Sequence, residues 1–226
     1  MNVAEVFYSL QGEGRFTGVP SAFVRLAGCP VRCPWCDTRY AWDPEAGEPL
    51  DTGAVLERIG PWPSRFVVIT GGEPMATMDL RPRPELGDLC RGLKAMGFHI
   101  TVETSGVVFV PGLACDLMSI SPKPGFLEAR QGGCTQSHLE PVRRLVAQYD
   151  HQLKIVVHAS TTVAEIQGLL DRLGGLDPRK VMLMPQARTR EELLAHSPRV
   201  AQMCLDGGWV FSPRLQVLLW DAQRGR

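Results

Sequence analysis

An excess of charge of either sign is missing from this chain, because 24 Lys and Arg are matched by 24 Asp and Glu. That balance removes the electrostatic case for binding nucleic acid or an anionic membrane. No apolar run approaches the ~20 residues needed to cross a bilayer. The start, Met1-Asn2-Val3-Ala4-Glu5, has no basic stretch leading into an apolar one, so no secretory signal is expected. The expected compartment is then the reducing cytoplasm, where the seven cysteines serve as thiols or metal ligands. An odd number of cysteines also fits poorly with a purely disulfide framework. Internal repeats and low-complexity segments are lacking as well. What remains is ordinary globular composition: 226 residues, 44% hydrophobic and 21% charged, are expected to form one domain, residues 1–226.

A recurring unit runs along the chain, a short β-branched run followed by a polar or Gly/Pro-rich loop and often a helical pattern. Strands are predicted at residues 21–26, 66–69, 98–102, 116–120, 152–157 and 180–184. Helical patterns are predicted at residues 85–96, 139–148, 163–173 and 190–206. Residues 45–49, 81–84 and 125–136 read as loops. Near-continuous apolar strands alternating with helices imply an α/β fold with a parallel sheet covered by helices. About six such units fit, whereas a closed eight-fold barrel typically needs about 250 residues, so an incomplete TIM-type barrel of about six parallel strands is expected. The polar motifs fall after the strands: the cysteine loop after the first, Gly71-Gly72-Glu73-Pro74 after the second, Glu103-Thr104-Ser105-Gly106 after the third. Ser121-Pro122-Lys123-Pro124 follows the fourth and Met184-Pro185-Gln186 the sixth. Parallel α/β folds place their sites at these C-terminal strand ends.

The loop Cys29-Pro-Val-Arg-Cys33-Pro-Trp-Cys36 carries the strongest chemistry. Iron–sulfur clusters are held by thiolates, usually four. Cys29, Cys33 and Cys36 lie within eight residues with no fourth cysteine nearby, which leaves one iron of a four-iron cluster open to a chelating small molecule. A structural zinc site in a non-enzymatic binding module is the alternative, but zinc would need a fourth ligand from Cys90, Cys115, Cys134, Cys204 or a histidine, none in a paired motif. Cys90 and Cys204 fall in helical patterns and read as buried small apolar residues. Cys115 and Cys134 read as loop thiols.

The spacing C-x3-C-x2-C with Trp35 before the last cysteine resembles the radical SAM family. The resemblance implies that Cys29, Cys33 and Cys36 mount a [4Fe–4S] cluster whose open iron chelates S-adenosylmethionine. Gly71, Gly72 and Glu73 resemble the motif that receives the methionine amino group, the glycines allowing close backbone approach and Glu73 adding a negative acceptor. Ser121, Pro122 and Lys123 are candidates for the ribose or methionine carboxylate. Met184, Pro185, Gln186 and Ala187 are candidates for adenine or ribose.

Further motifs narrow the family. Gln11-Gly12-Glu13-Gly14 precedes the cluster loop, Cys36-Asp37-Thr38 closes it, and residues 70–74, 103–106, 120–124 and 153–156 follow. Together, over nearly the whole chain from Glu5 to about Trp220, they resemble the 7-carboxy-7-deazaguanine synthase family of queuosine and deazapurine biosynthesis. The resemblance implies a lyase-type conversion of 6-carboxy-5,6,7,8-tetrahydropterin to 7-carboxy-7-deazaguanine with loss of ammonia, through a 5′-deoxyadenosyl radical that takes and returns a hydrogen. Arg25 at a strand end offers a bidentate partner for the pterin carboxylate. Leu10, Gln11, Gly12, Thr70 and Glu103 are the other expected substrate contacts. The family's Mg2+ would fall to the Thr38 hydroxyl, one protein oxygen beside substrate and water. A flavodoxin-like or ferredoxin-like electron donor and a homodimer are implied partners. One departure lies in the tail, where Leu218 stands at the position of a family histidine and Gln216 aligns with the family's glutamine. No catalytic residue beyond the cofactor-derived radical is expected. A glycyl-radical activating enzyme, also short and cluster-bearing, is a further alternative, although such enzymes lack Gln-Gly-Glu-Gly.

Overall fold

The structure, a computed structural model, describes residues 1–123, 139–221 and 223–225. Its strands are β1 (Asn2–Leu10), β2 (Pro20–Leu26), β3 (Glu48–Pro49), β4 (Phe66–Gly71), β5 (His99–Thr104), β6 (Leu117–Ile120), β7 (His151–Val157), β8 (Val181–Pro185) and β9 (Val210–Phe211). They form one sheet in the order β3-β1-β2-β4-β5-β6-β7-β8-β9. From β2 to β9 every neighbouring pair is parallel. The two ends of the order do not pair, so the barrel is open, as expected for an incomplete one. Six parallel strands match the predicted ones to within a few residues. The short β9 extends the parallel run, while β1 and β3 add an antiparallel edge beside β2.

The helices are α1 (Thr52–Ile59), α2 (Glu85–Ala95), α3 (Glu140–Gln148), α4 (Val163–Arg172), α5 (Arg190–Gly207) and α6 (Leu215–Trp220). Local chemistry sets their ends. Asp51 accepts from the Ala54 amide at 2.8 Å to start α1, and Thr162–Glu165 and Thr189–Glu192 form reciprocal capping boxes at α4 and α5. Gly208, left-handed at φ 68°, stops α5. Leu86, Leu89 and Leu93 recur on one side of α2 and are fully buried. Burial of each contributes about 1.5–3 kcal/mol.

One sequence reading changes here, one stands and one is untested. Residues 45–49, read as loop, contain β3, because Asn2 and Val3 pair with Pro49 and Glu48. The loop at 81–84 is tied down by Arg83, whose guanidinium donates to the carbonyls of Ala27 and Ala76 at 2.9 and 3.2 Å. The loop reading at 125–136, Pro124 and Cys134 lie outside the described residues.

Strand alternation positions everything that follows. Val24, Ile69, Val102, Met118, Ile120, Leu153, Ile155 and Leu183 belong to the apolar core beneath the helices. The intervening positions Arg25, Thr70, Glu103, Ser119, Lys154 and Met184 point to the other face of the sheet and line one cavity there. The register places Arg25 beside Thr70 and Glu103 beside Ser119.

Candidate active site

The cavity has a volume of about 270 Å³ and lies at the C-terminal ends of the parallel strands. The loops after β2, β4, β5, β6 and β8 all contribute to its wall. Cys29, Cys33 and Cys36 line it together. Cys29 and Cys33 are buried and pack with Val31, Trp35, Trp42 and Val107 into a small apolar cluster of their own. The loop is held in a tight path: the Cys36 amide donates to the Cys33 carbonyl at 3.0 Å, and Arg32 adopts a positive φ of 53°. The Thr38 amide points at the Cys36 sulfur at 3.3 Å, the kind of N–H donor that supports a thiolate. Burial pushes the Cys33 thiol up to about 11 and raises Cys29 as well. Among the described residues no three His, Cys, Asp or Glu side chains gather as around a single metal ion.

Gly71 and Gly72 face the cavity, and the second of them is glycine for an internal reason. A Cβ on Gly72 would lie 2.4 Å from the Gly28 carbonyl oxygen and 2.7 Å from that of Ala41, backbone atoms that cannot step aside. The β4 loop is thereby pressed directly against the cysteine loop, and the Gly72 and Glu73 amides donate to the carbonyls of Leu26 and Gly28 at 2.9 Å each. Glu73 corrects its expected role. It is buried and turned away from the cavity, accepting from Thr104 Oγ1 at 2.7 Å, the Ser105 amide at 2.8 Å, the Met75 amide at 3.0 Å and the Ser105 hydroxyl. With its oxygens occupied, Glu73 welds the β4 loop to the β5 loop, and the backbone at 71–72 is what faces the cavity.

A chain of alternating charges forms the opposite wall. Lys154 Nζ, 5% exposed in the middle of β7, donates to Glu13 at 2.5 Å and to Glu103 at 3.3 Å. Arg214 Nε donates to the other Glu13 oxygen at 3.1 Å, and a second Arg214 nitrogen pairs with Asp37. Burial alone would raise the Glu13 pKa, but Lys154 and Arg214 outweigh it and hold the carboxyl well below the usual range. Burial would favour a neutral Lys154, yet Glu103 and Glu13 keep it charged above its ordinary value. Gln11 Nε2 joins at Glu103, 3.3 Å away. Gln216 donates to Glu13 at 2.8 Å, and its carbonyl oxygen occupies the space where a Cβ on Gly12 would sit, 1.8 Å from it. In the Gln-Gly-Glu-Gly motif, therefore, Glu13 is an ionic hub and Gly12 makes room for a residue of α6.

Arg25 lines the cavity with Nε on Glu5 at 3.1 Å, and Tyr40 donates to the same Glu5 oxygen at 2.6 Å. The terminal guanidinium nitrogens of Arg25 have no hydrogen-bond partner among the described residues. The Thr38 hydroxyl donates to Asp37 Oδ1 at 2.8 Å and lines the cavity. Lys123 Nζ donates to the Ser121 carbonyl at 2.7 Å and also contacts the Ser121 hydroxyl, and burial lowers its pKa.

Of the sequence-predicted residues, Leu10, Gln11, Gly12, Arg25, the three cysteines, Thr38, Thr70, Gly71, Gly72, Glu103, Ser121, Lys123, Met184, Pro185 and Gln186 share this cavity. Three do not. Glu73 is spent as above. Pro122 lines a separate groove with Trp35 and His158. Ala187 is fully buried against Leu193 and Val217 and offers only its carbonyl, to Arg214. Sequence reasoning missed Glu13, Asp37, Lys154, Arg214 and Gln216 as wall residues. A lysine in the middle of a buried parallel strand is itself a signal, because an unpaired charge there is costly.

Known proteins resemble this chain in sequence and in fold. Residues 24–173 match the radical SAM superfamily. The 7-carboxy-7-deazaguanine synthase of Hyperthermus butylicus is 36% identical, with 97% of this chain and 92% of the relative aligned. That of Halobacterium salinarum is 35% identical over 97% of this chain and 90% of its own length. Among solved structures, the crystal structure of QueE from Escherichia coli superposes with a TM-score of 0.66 at 29% identity, covering 93% of this chain and 92% of that one.

Proposed function

The chain belongs to the 7-carboxy-7-deazaguanine synthase family of the radical SAM superfamily, and on that premise we propose that its substrate is 6-carboxy-5,6,7,8-tetrahydropterin, converted to 7-carboxy-7-deazaguanine with loss of ammonia. A radical SAM enzyme of this family carries a [4Fe–4S] cluster and uses S-adenosylmethionine; together they supply one-electron cleavage of a sulfonium bond. In our reading Cys29, Cys33 and Cys36 hold the cluster, the backbone at 71–72 accepts the methionine amino group, and Ser121 and Lys123 face its carboxylate or ribose. Met184, Pro185 and Gln186 border the adenosine.

One observation carries the substrate assignment. A guanidinium with free terminal nitrogens, Arg25, shares a cavity with the three thiols and with a wall of mixed donors and acceptors from Gln11, Thr70 and Glu103. A flat bicyclic ring bearing a carboxylate needs such a pairing: a fork for the carboxylate, and both donors and acceptors for the ring edge. Arg25 orients the carboxylate, and Glu103, beside the Lys154 ammonium, accepts from ring N–H groups. Thr38, its proton committed to Asp37, presents an oxygen that suits Mg2+ held otherwise by substrate and water. An external flavodoxin-like or ferredoxin-like protein supplies the electron, and we place the enzyme in the cytoplasm as a homodimer.

Anaerobic turnover of the carboxytetrahydropterin with S-adenosylmethionine and dithionite, with and without Mg2+, tests the proposal. Deazaguanine product is expected, with a higher rate when Mg2+ is present. Release of 5′-deoxyadenosine without that product would overturn the substrate while leaving the radical chemistry intact. Arg25→Ala is expected to leave iron and sulfide content unchanged and to raise the pterin KM about 10–100-fold, the loss of ~1.5–3 kcal/mol from a charged hydrogen-bond partner. The fold tolerates this change because Glu5 keeps Tyr40 and Arg224 as partners. A normal pterin KM in that variant would remove Arg25 from the carboxylate site.

A further inference from the structure

Arg214 stands between β9 and α6, in the segment where the chain departs from its family's tail pattern. Its side chain is only 9% exposed, and its nitrogens reach three acceptors: Glu13 Oε1 at 3.1 Å, Asp37 Oδ2 and the carbonyl of Ala187. These acceptors come from three different connections, those following β1, β2 and β8, and each connection lines the cavity. The backbone around Arg214 is itself fixed. The Ser212 amide donates to Leu183 at 2.8 Å, the Leu215 amide to Gly12 at 2.9 Å, and the Gly14 amide returns to the Ser212 hydroxyl at 2.9 Å.

We propose that Arg214 is a positioning residue that locks the cluster loop, the turn after β8 and the Gln11–Glu13 wall at fixed separations. The inference rests on the functional reading above, which places thiols, adenosine and pterin on those three connections. A planar guanidinium satisfies several acceptors in fixed directions, whereas a lysine ammonium is a compact point charge on a flexible stem. Removing the fork leaves each loop anchored to its own strand but free to shift against the others. Reaction between groups held on different loops is steep in such shifts, since a displacement of about 1 Å can cost about 100-fold. The expected fault is therefore mistiming rather than lost binding: the cofactor is cleaved, but the substrate is not in place to use it.

The test compares Arg214→Lys and Arg214→Gln with the natural enzyme, all cluster-loaded. Product and released 5′-deoxyadenosine are measured along with iron and sulfide. Both variants are expected to load iron and sulfide, to lose product formation about 100-fold, and to release at least about tenfold more 5′-deoxyadenosine per product; Lys does not rescue. Hydrogen exchange of the substrate-free enzyme supplies a reading independent of turnover, with faster exchange expected at residues 34–38 and 186–188. An unchanged nucleoside-to-product ratio, or unchanged exchange at those residues, overturns the proposal, since a merely structural role lowers both products in parallel. Should the Arg214 variants fail to fold, Asp37→Asn removes one arm at a half-exposed side chain and is expected to raise the ratio in the same direction. No rise there is equally fatal. If the natural enzyme itself makes no deazaguanine, the substrate reading fails, while the exchange data still decide the role of Arg214.

Discussion

Replacing Cys33 with alanine removes cluster loading and with it all product, a loss of more than about 1,000-fold, beyond the ~10–100-fold typical of changes outside the ligand set. Cys33 is the middle thiol of the loop and is 8% exposed, packed among Cys29, Val31 and the flanking tryptophans. Alanine fills most of that space, and the Cys33 carbonyl still receives the Cys36 amide. The fold is expected to survive with a cost on the order of 1 kcal/mol. On the proposed assignment what is lost is one of three anchors, and two thiolates would leave two irons of a four-iron cluster open rather than one. Iron and sulfide analysis after anaerobic reconstitution, read beside a thermal melt, separates ligand loss from unfolding. Cys90→Ala is the matched control: Cys90 is fully buried in α2, away from the cavity, so the variant should load normally. A Cys33→Ala protein that still carried stoichiometric iron and sulfide would refute the assignment of the loop.

Much of this architecture was readable because it is periodic. The strands β2 and β4 to β8 are short apolar runs, and their loops carry Cys, Gly, Ser and Pro in recognisable order. The elements that escaped are those whose partners are distant or whose length is small. β1 is mostly half-buried along its length, with Val3 its one buried residue, so it shows no clean alternation. α1, β9 and α6 are too short for period to outweigh chance. The site divides the same way. Arg25, Thr70 and Glu103 sit on strands, where alternation decides which side they face, and the three cysteines share one short loop after β2. Glu73 misled because a carboxylate after Gly-Gly reads as a free acceptor, while only the fold brings Thr104 and Ser105 to it. Arg214 left no local trace, because its partners Glu13 and Asp37 lie 201 and 177 residues away along the chain.

Lys154→Met is expected to destabilise the protein by about 3–5 kcal/mol at pH 7, the cost of removing one partner from a buried ionic group. For a chain of this size that corresponds to a fall in Tm of roughly 6–20 °C. Methionine matches the length of the lysine stem, so packing is largely kept, and the loss comes from leaving Glu13 and Glu103 facing each other without the ammonium. The pH dependence distinguishes this from a packing defect. In the natural protein the folded-state pKa of Glu13 is depressed below its unfolded value of 4.5, so its contribution is fully present above that value and is lost as the pH falls through the lower folded pKa. In the variant the burial of Glu13 is no longer offset by Lys154, and its folded pKa rises. Protonation then relieves the variant as the pH falls toward 5, while the natural protein gains nothing in the same interval. The stability gap between the two should therefore narrow on acidification. Anaerobic urea denaturation at pH 7 and pH 5, with both proteins in the same state of cluster loading, measures it. Adding Glu103→Gln to Lys154→Met should recover part of the loss at pH 7 by removing one of the stranded charges. A gap of equal size at both pH values, or a double variant less stable than the single one, would mean that Lys154 acts in the wall by packing and not by charge.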